Sequence, residues 1–319
     1  MARVVLLFLT LMSFTGCQGH RYSPGGRQQG GKPPVSPAFT ASASDPGSTV
    51  TLALLGDVML GREVYPTTES FAYLEPHLSS ADLVLANLES PLSDSPPETE
   101  SAYVLCAPPG NVQSLVDAGF DLLSIANNHI FDCGPQGMAE TQATLSEAGL
   151  GFLGPGPEPV YRTIHEVPLA FLAFDATSDG FDIGSAVRAV RSARETSARV
   201  VVSIHWGEEY QSGPSAAQKE IARQLADAGA ALIWGHHPHV LQPSVWLGEG
   251  RTLVLYSLGN ALFDQHGLES TRQSALVLVT LNAKGETKFK AIPFLIDVQN
   301  SRVVEAGEAD ARRIQQYFK

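Results

Sequence analysis

The sequence IWGHHPHVLQP occupies residues 233–243 and contains three histidines within four positions. An apolar run ends in Gly235 just before them, which is how a buried strand delivers polar side chains to the edge of a sheet. Pro238 restricts the backbone, so the turn that carries His236 and His239 is stiff. Imidazoles held together in this way favour a Zn, Mn or Fe site. A turn that contains ordinary histidines is the plain alternative.

Other predicted strands end in side chains that can bind a metal. Apolar runs at 49–55, 82–86, 121–126 and 199–204 are followed, in that order, by Asp57, Glu89, Asn128 with His129, and His205. Open α/β sheets place their ligands at the carboxyl ends of their strands. Taken singly, Asp57 can cap a turn, Asn128 can form one and His205 can be a core residue. Together they predict a mixed nitrogen and oxygen site for two divalent metals, with Glu89 as the bridging carboxylate.

Composition limits the function classes. The chain has 319 residues, of which 44% are hydrophobic, so it can form one large domain or two small ones with a real core. Its net charge is −12. Nucleic acid is therefore not expected as a partner, because phosphate backbones need a basic surface.

The first 17 residues predict a lipoprotein signal peptide. Arg3 gives a positive start, and residues 4–14 form an apolar run that is too short to span a bilayer comfortably. The following Thr-Gly-Cys resembles a lipobox, with Cys17 as the lipidated residue. This predicts a protein that is exported and lipid-anchored to the bacterial cell envelope. Phe14 stands where leucine is usual, so a plain signal peptide is the alternative.

The remaining chain divides by composition. Residues 18–48 are rich in Gly, Pro, Ser and Arg, and they predict a flexible tether because they cannot bury enough apolar surface to fold. Residues 49–300 predict the main domain, and 301–319 a C-terminal helix. Within the domain, residues 161–175 predict a hairpin that turns around Pro168.

Cys106 and Cys133 are the cysteines that follow Cys17. An exported chain meets an oxidising compartment, where two cysteines can pair. They flank the third predicted strand and its His129 loop, so a disulfide between them would hold this loop in place. Two separate buried thiols are the alternative.

Several motifs together resemble one known family. They are GDVMLGR at 56–62, ANLESP at 86–91, ANNHIFD at 126–132, HWGEEY at 205–210, GHHPHV at 235–240 and YSLGN at 256–260. They resemble the CapA family, which serves poly-γ-glutamate capsule synthesis and belongs to the calcineurin-like metallophosphatase superfamily. The resemblance covers about residues 49–293. It implies an α/β (α+β) fold in the form of a metallophosphatase-like four-layer α-β-β-α sandwich.

The resemblance also implies roles for individual residues. Two divalent metal ions (Mn, Zn or Fe) would be bound by Asp57, Glu89, Asn128, His205, His236 and His239. His129 would act near the leaving group, and Asp57 would belong with it to the catalytic residues. Met59 departs from the superfamily pattern, which has a histidine there, and Glu89 replaces an aspartate. The spacing of the closing histidines leaves open whether His237 or His239 is a ligand.

Two functions are consistent with these features. The first is a metal-dependent hydrolase at the cell surface that cleaves a phosphoester or a γ-glutamyl amide, with His129 as general acid. The second is an accessory protein that binds an anionic polymer, or supports its export, without turnover. Either would have an anionic polymer or phosphoester, the membrane and a capsule-synthesis complex as partners. Metal analysis combined with a hydrolysis screen separates the two.

Overall fold

The computed structural model describes residues 48–95, 103–197 and 199–319. The predicted signal peptide and nearly all of the predicted tether lie outside these ranges. In chain order, the described strands are β1 (Thr49–Val58), β2 (Leu83–Leu88), β3 (Leu122–Ser124), β4 (Gly151–Leu153), β5 (Gly156–Ile164), β6 (Val167–Asp175), β7 (Arg199–His205), β8 (Leu232–His236), β9 (Leu241–Leu247), β10 (Thr252–Leu258), β11 (Asn260–Leu262), β12 (Gln273–Asn282), β13 (Thr287–Asp297) and β14 (Arg302–Glu305).

The described α-helices are α1 (Glu75–Leu78), α2 (Gln113–Asp117), α3 (Gly134–Glu147), α4 (Ile183–Thr196), α5 (Ala216–Ala228) and α6 (Glu308–Gln315). Short 3₁₀ helices cover Ala72–Leu74, Pro109–Val112 and Glu269–Arg272. Within the described ranges, no helix combines the length and the apolarity that spanning a membrane requires.

The strands form two sheets. The first has the order β14-β13-β12-β1-β2-β3-β4, with β11 beside β1, and the second has the order β5-β6-β7-β8-β10-β9. The neighbours β1 to β4 are mutually parallel, and so are β6, β7, β8 and β10. Each sheet therefore gathers the carboxyl ends of its parallel strands at one edge.

Alternating side chains explain how the sheets pack. In β1, Leu52 and Leu54 belong to a core between the two sheets, while Ala53 and Leu55 belong to a core on the outer face. A strand that is buried on both faces needs a nearly continuous apolar run, as β1 has. Helices α1 to α3 cover the outer face of the first sheet, and α4 and α5 cover that of the second. The predicted four-layer α-β-β-α sandwich is confirmed.

The predicted hairpin turns at a different place. Strands β5 and β6 are antiparallel and are joined by His165 and Glu166, which have φ of 46° and 63°. Two consecutive left-handed residues form the turn type whose twist suits a hairpin. Pro168 is inside β6, where it precedes Leu169, the first residue that pairs with β7. A proline is tolerated at that position because the pairing of β6 with β7 begins only at the next residue.

The C-terminal segment is more than a helix. Residues 301–319 begin with β14, which pairs with β13 and buries Val303, before α6 follows. The prediction of a helix alone missed this strand, because a pattern of four residues is too short to distinguish a strand from a helix.

Candidate metal centre

Strand ends from both sheets meet at one cluster. Asp57 lies near the end of β1 and Glu89 follows β2 in the first sheet, while His205 and His236 end β7 and β8 in the second. These four residues are at most 1% exposed. Carboxylates are rarely buried this deeply without a reason, since a buried charge needs a partner.

Asp57 is the most closely contacted acid of the cluster. Its Oδ1 accepts a hydrogen bond of 2.8 Å from Asn87 Nδ2 and lies 3.3 Å from His236 Nδ1. Its Oδ2 accepts one of 3.2 Å from the backbone N–H of His237 and lies 3.5 Å from His239 Nδ1. Asp57 thus joins the end of the first sheet to the histidine turn of the second.

Glu89 lies at the centre of three imidazoles. Its Oε1 is 3.6 Å from the Nε2 atoms of both His205 and His239, and 3.9 Å from that of His129. These separations are too long for hydrogen bonds. Two ligands of a tetrahedral ion, each about 2.1 Å from it, lie about 3.4 Å apart. The spacing around Glu89 is therefore that of side chains which share a cation.

Several ring and carboxylate atoms of the cluster have no hydrogen-bond partner among the described residues. They are both oxygens of Glu89, Nε2 of His205, both ring nitrogens of His236 and Nδ1 of His237. A buried polar atom without a partner costs free energy, and such atoms at one place indicate a ligand. The donor set fits divalent metal.

Two groups of side chains are arranged to hold an ion. One consists of Asp57, Glu89 and His205, and the other of Glu89, His237 and His239, with ligand atoms in each group within 4.8 Å of one another. Glu89 is common to both groups. Both His237 and His239 are thus placed near Glu89, and His239 also has its Nδ1 at 2.9 Å from Asn260 Oδ1.

The backbone of the histidine turn is strained. His237 and His239 have φ of 93° and 57°, which side-chain-bearing residues rarely adopt. Such residues cost about 1–3 kcal/mol each and are found mainly at functional sites. Gly235 lets the turn begin, because a Cβ there would lie 2.2 Å from the carbonyl oxygen of Tyr256.

Burial sets the charge states of the cluster. Burial raises the pKa of Glu89 well above its usual value, and the charge of Asp57 raises it further. Burial lowers the pKa of His205 well below its usual value, and the neighbouring His237 adds to this shift. Burial alone would raise the pKa of Asp57, but His236 and His239 lower it below its usual value. The imidazole of His205 is therefore kept neutral, as a metal ligand must be.

His129 approaches the cluster from one side and is oriented by an aspartate. Its Nδ1 lies 2.9 Å from Asp132 Oδ2, and the same oxygen accepts a 2.8 Å hydrogen bond from the backbone N–H of Leu105. Its Nε2 is the nitrogen that faces Glu89. A histidine that is held through one nitrogen has the other available for proton transfer.

Comparison with known proteins identifies the family. The family model described as "Bacterial capsule synthesis protein PGA_cap" matches residues 51–265. The chain belongs to this family. It is 34% identical over 281 residues to "PGA biosynthesis protein CapA" of Bacillus subtilis (strain 168), with 79% of this chain and 72% of that protein covered. It is 33% identical over 283 residues to "Capsule biosynthesis protein CapA" of Bacillus anthracis, with 77% and 67% covered.

A solved structure has a similar fold. A hypothetical protein from Thermus thermophilus superposes with a TM-score of 0.52 at 18% sequence identity, over 77% of this chain and 99% of that one. The predicted resemblance to the CapA family is thus confirmed by the family match and by the two Bacillus relatives.

In this PGA_cap member, the Asn-Asn-His motif is placed differently from the prediction. Asn127 is the buried asparagine, and its Nδ2 donates to Asn87 Oδ1 at 3.1 Å and to the Leu88 carbonyl at 2.9 Å. The side chain of Asn128, which sequence reasoning chose as a ligand, is exposed and lines a neighbouring cavity. The structure does not bring Asn128 into the cluster.

Three residues that were not predicted as site residues complete the cluster: Asn87, Asn260 and Asp132. Asn87 lies in β2, and its Nδ2 donates the 2.8 Å hydrogen bond to Asp57 Oδ1 described above. Asn260 starts β11 and contacts His239, while Asp132 lies three positions after His129 in a hydrogen-bonded turn. All three residues lie in motifs quoted above, ANLESP, YSLGN and ANNHIFD, but their contacts with the cluster depend on the fold.

Met59 does not face the cluster. It is fully buried in the outer core of the first sheet, and its Sδ accepts from the backbone N–H of Gly61 at 3.0 Å. Because β1 ends at Val58, the alternation that would carry Met59 to the side of Asp57 is broken. The Met59 side chain therefore does not occupy the place beside Asp57 that the superfamily histidine would take.

The structure joins Cys106 and Cys133 in a disulfide, with Cα atoms 6.1 Å apart and a sequence separation of 27. Their chain neighbours Leu105 and Asp132 are also hydrogen-bonded, as described above. The bridge and this hydrogen bond hold the segment that carries His129 against the chain before α2.

We expect the Cys106→Ser/Cys133→Ser variant to lose about 3 kcal/mol of unfolding free energy, the contribution of a loop of this size in the chain-entropy model. Chemical denaturation of protein lacking residues 1–17 measures this. Thiol titration of the denatured, non-reduced protein should find no free thiol. Two free thiols per chain in exported protein would contradict the bridge.

Proposed function

We propose that this protein acts in poly-γ-glutamate capsule synthesis as a metal-dependent hydrolase with a two-metal centre. The observation that carries the proposal is Glu89, a fully buried carboxylate that is shared by two ligand groups and has no hydrogen-bond partner among the described residues. Membership of the PGA_cap family supports the capsule role.

In this proposal, the two ligand groups would hold separate metal ions. Asp57, Glu89 and His205 would hold one ion, and Glu89, His237 and His239 the other, with His236 beside Asp57. When bound, Mn, Zn or Fe ions would polarise the scissile bond and activate a water. Asn87 keeps Asp57 oriented, and His205 stays neutral because it is buried.

His129 is the proposed general acid. Asp132 holds its Nδ1, so Nε2 is directed to the cluster and can protonate the leaving group. Asp132 would also stabilise the imidazolium before the proton is transferred. Asp57 would remain ionised throughout, since its pKa lies below its usual value. It would therefore bind metal and would not transfer protons.

The substrate would enter from the cavity beside the His129 loop. This cavity has a volume of about 590 Å³ and includes Asn128, Phe131, Asp175 and Phe181 in its lining. Its lining contains two aspartates and neither lysine nor arginine. The anionic part of a phosphoester or γ-glutamyl substrate would therefore bind at the metals, and its neutral or amino part in the cavity.

Metal analysis and a hydrolysis screen test the proposal together. Purified protein should contain close to two divalent metal ions per chain and should cleave a phosphoester or a γ-glutamyl amide. Metal without turnover of either substrate class would replace the hydrolase with a non-catalytic accessory role in polymer binding or export. Protein that binds no divalent metal would contradict both the centre and the hydrolase.

We also propose that the protein is anchored to the cell envelope through Cys17. The motif lies outside the described residues, and its support is the apolar run followed by Thr-Gly-Cys. The Cys17→Ser variant is expected to move from the membrane fraction to the soluble fraction. Phe14→Leu, which restores the usual lipobox residue, should stay with the membrane. Equal partitioning of Cys17→Ser and wild type would contradict the anchor.

A further inference from the structure

A basic cavity of about 500 Å³ lies at the opposite end of the second sheet from the metal centre. Arg199 begins β7 and His205 ends it, so about 20 Å separates the two ends of this strand. The lining also includes Arg194 at the end of α4, Arg251 before β10 and Lys284 in the turn between β12 and β13. Four basic side chains thus converge from four separate elements.

These basic groups have no counter-ion in the described part of the chain. Within the described ranges, none of the four makes an ion pair: Arg194 donates to the carbonyl of Ser197 at 3.0 Å, and Arg251 to that of Gly248 at 2.8 Å. The acid in the lining is Asp227, whose Oδ2 lies 2.7 Å from Nη1 of a helix neighbour, Arg223. In a chain of net charge −12, an unneutralised basic cluster is an exception that calls for an anion.

Arg199 is the buried member of this cluster and is only 2% exposed. Its guanidinium donates to the carbonyls of Asn282 and Glu286 at 3.1 and 3.0 Å, and to the hydroxyl of Thr287. These bonds hold the turn that presents Lys284. Its Nε has no partner among the described residues, and no carboxylate there contacts the guanidinium. A buried charge without a counter-ion is costly, and a bound anion would remove that cost.

We propose that this basic cavity is a binding site for an oxyanion, a phosphate or a carboxylate, distinct from the metal centre. Arg251 and Lys284 are exposed on turns at its mouth and would make the first contact, while Arg199 supplies a fixed positive charge beneath them. Guanidinium and ammonium groups bind such anions through charge-assisted hydrogen bonds. The anion could be free phosphate or the free α-carboxylate of a γ-linked glutamyl polymer, which share this chemistry.

Calorimetric titration of the purified, metal-containing protein tests the site. One arm uses inorganic phosphate and the other a short γ-linked glutamate oligomer, so the two sources of the anion are distinguished. The test variant is Arg251→Gln/Lys284→Gln. The matched control is Lys288→Gln/Lys290→Gln, which removes the same charge from exposed positions on β13 outside the cavity lining.

At least one of the two ligands should bind wild type and the control equally, and the test variant at least about tenfold more weakly. Any binding at the metals is a separate event that all three proteins share, so the comparison concerns only the binding event that the test variant weakens. Added salt should weaken the binding that the variant loses, since the contacts are ionic. Failure of both ligands to bind, or equal binding by the test variant and the control, would overturn the site. The test compares the binding of two variants and does not use catalytic activity. A failed hydrolase assay therefore does not contradict the proposed anion site.

Discussion

Glu89→Gln is expected to lower the affinity for divalent metal at least about 100-fold. Loss of a residue that only hydrogen-bonds a metal ligand lowers metal affinity about 10–100-fold. Glu89 is the carboxylate common to both ligand groups, so its loss should cost more. Elemental analysis after dialysis against a defined metal concentration measures the effect. Glu209→Gln is the matched control, because Glu209 is an exposed acid close enough to influence the pKa of Glu89 but belongs to neither group.

The same substitution should have opposite effects on stability with and without metal. The pKa of Glu89 in the folded state is raised, so the metal-free protein loses stability as the pH rises above the usual pKa of a glutamate. In chelator, Glu89→Gln should therefore be more stable than wild type by about 1 kcal/mol near neutral pH. This difference should shrink as the pH falls toward that usual value. With metal, wild type should be the more stable protein.

Thermal unfolding with and without chelator measures both of these stability differences. His236→Ala provides a second test, because removing this imidazole should also reduce metal content. Full metal occupancy in both Glu89→Gln and His236→Ala would contradict the centre.

His129→Gln is expected to reduce kcat of the proposed hydrolysis by about 10²–10⁴-fold, the usual contribution of a general acid. Metal content should stay unchanged, because neither ligand group contains His129. The reduction should be smaller for a substrate whose leaving group needs no proton, such as a nitrophenyl ester. Steady-state kinetics on two esters of different leaving-group pKa measures this contrast.

Asp132→Asn separates positioning from proton transfer. The amide can still hold His129 Nδ1 but cannot stabilise the imidazolium, so kcat should fall less than in His129→Gln. Loss of metal in His129→Gln would show that this histidine is a ligand instead of an acid. Equal activity of His129→Gln and wild type on both esters would remove it from the mechanism.

Much of the fold was predictable because its signals are local. The runs that became β1, β2, β3, β7 and β8 are apolar because each strand packs on both faces, and that burial is visible as composition. The capping box at the start of α5 likewise appears in the sequence, with Ser215 and Gln218 three positions apart. The hairpin turn was misplaced because Pro168 is a stronger local signal than the two left-handed residues before it.

The candidate site was predictable in type more than in detail. Asp57, Glu89, His205, His236 and His239 each follow or end an apolar strand, and the structure brings all of them together. The choice between the neighbours Asn127 and Asn128 was not predictable. It depends on the direction in which the chain leaves β3, and sequence spacing carries no information on that direction.

The sequence by itself determined which strands carry the candidate ligands and which chemical types these have, because a strand's end and its side chains are properties of a few neighbouring residues. Only the tertiary structure decided that Glu89 is shared, that Met59 turns away and that Arg199 meets the turn of Lys284. These facts depend on contacts between segments far apart in the chain, such as Glu89 with His239 and Arg199 with Asn282. Such contacts follow from strand order and from the packing of one sheet on the other, which no local pattern encodes.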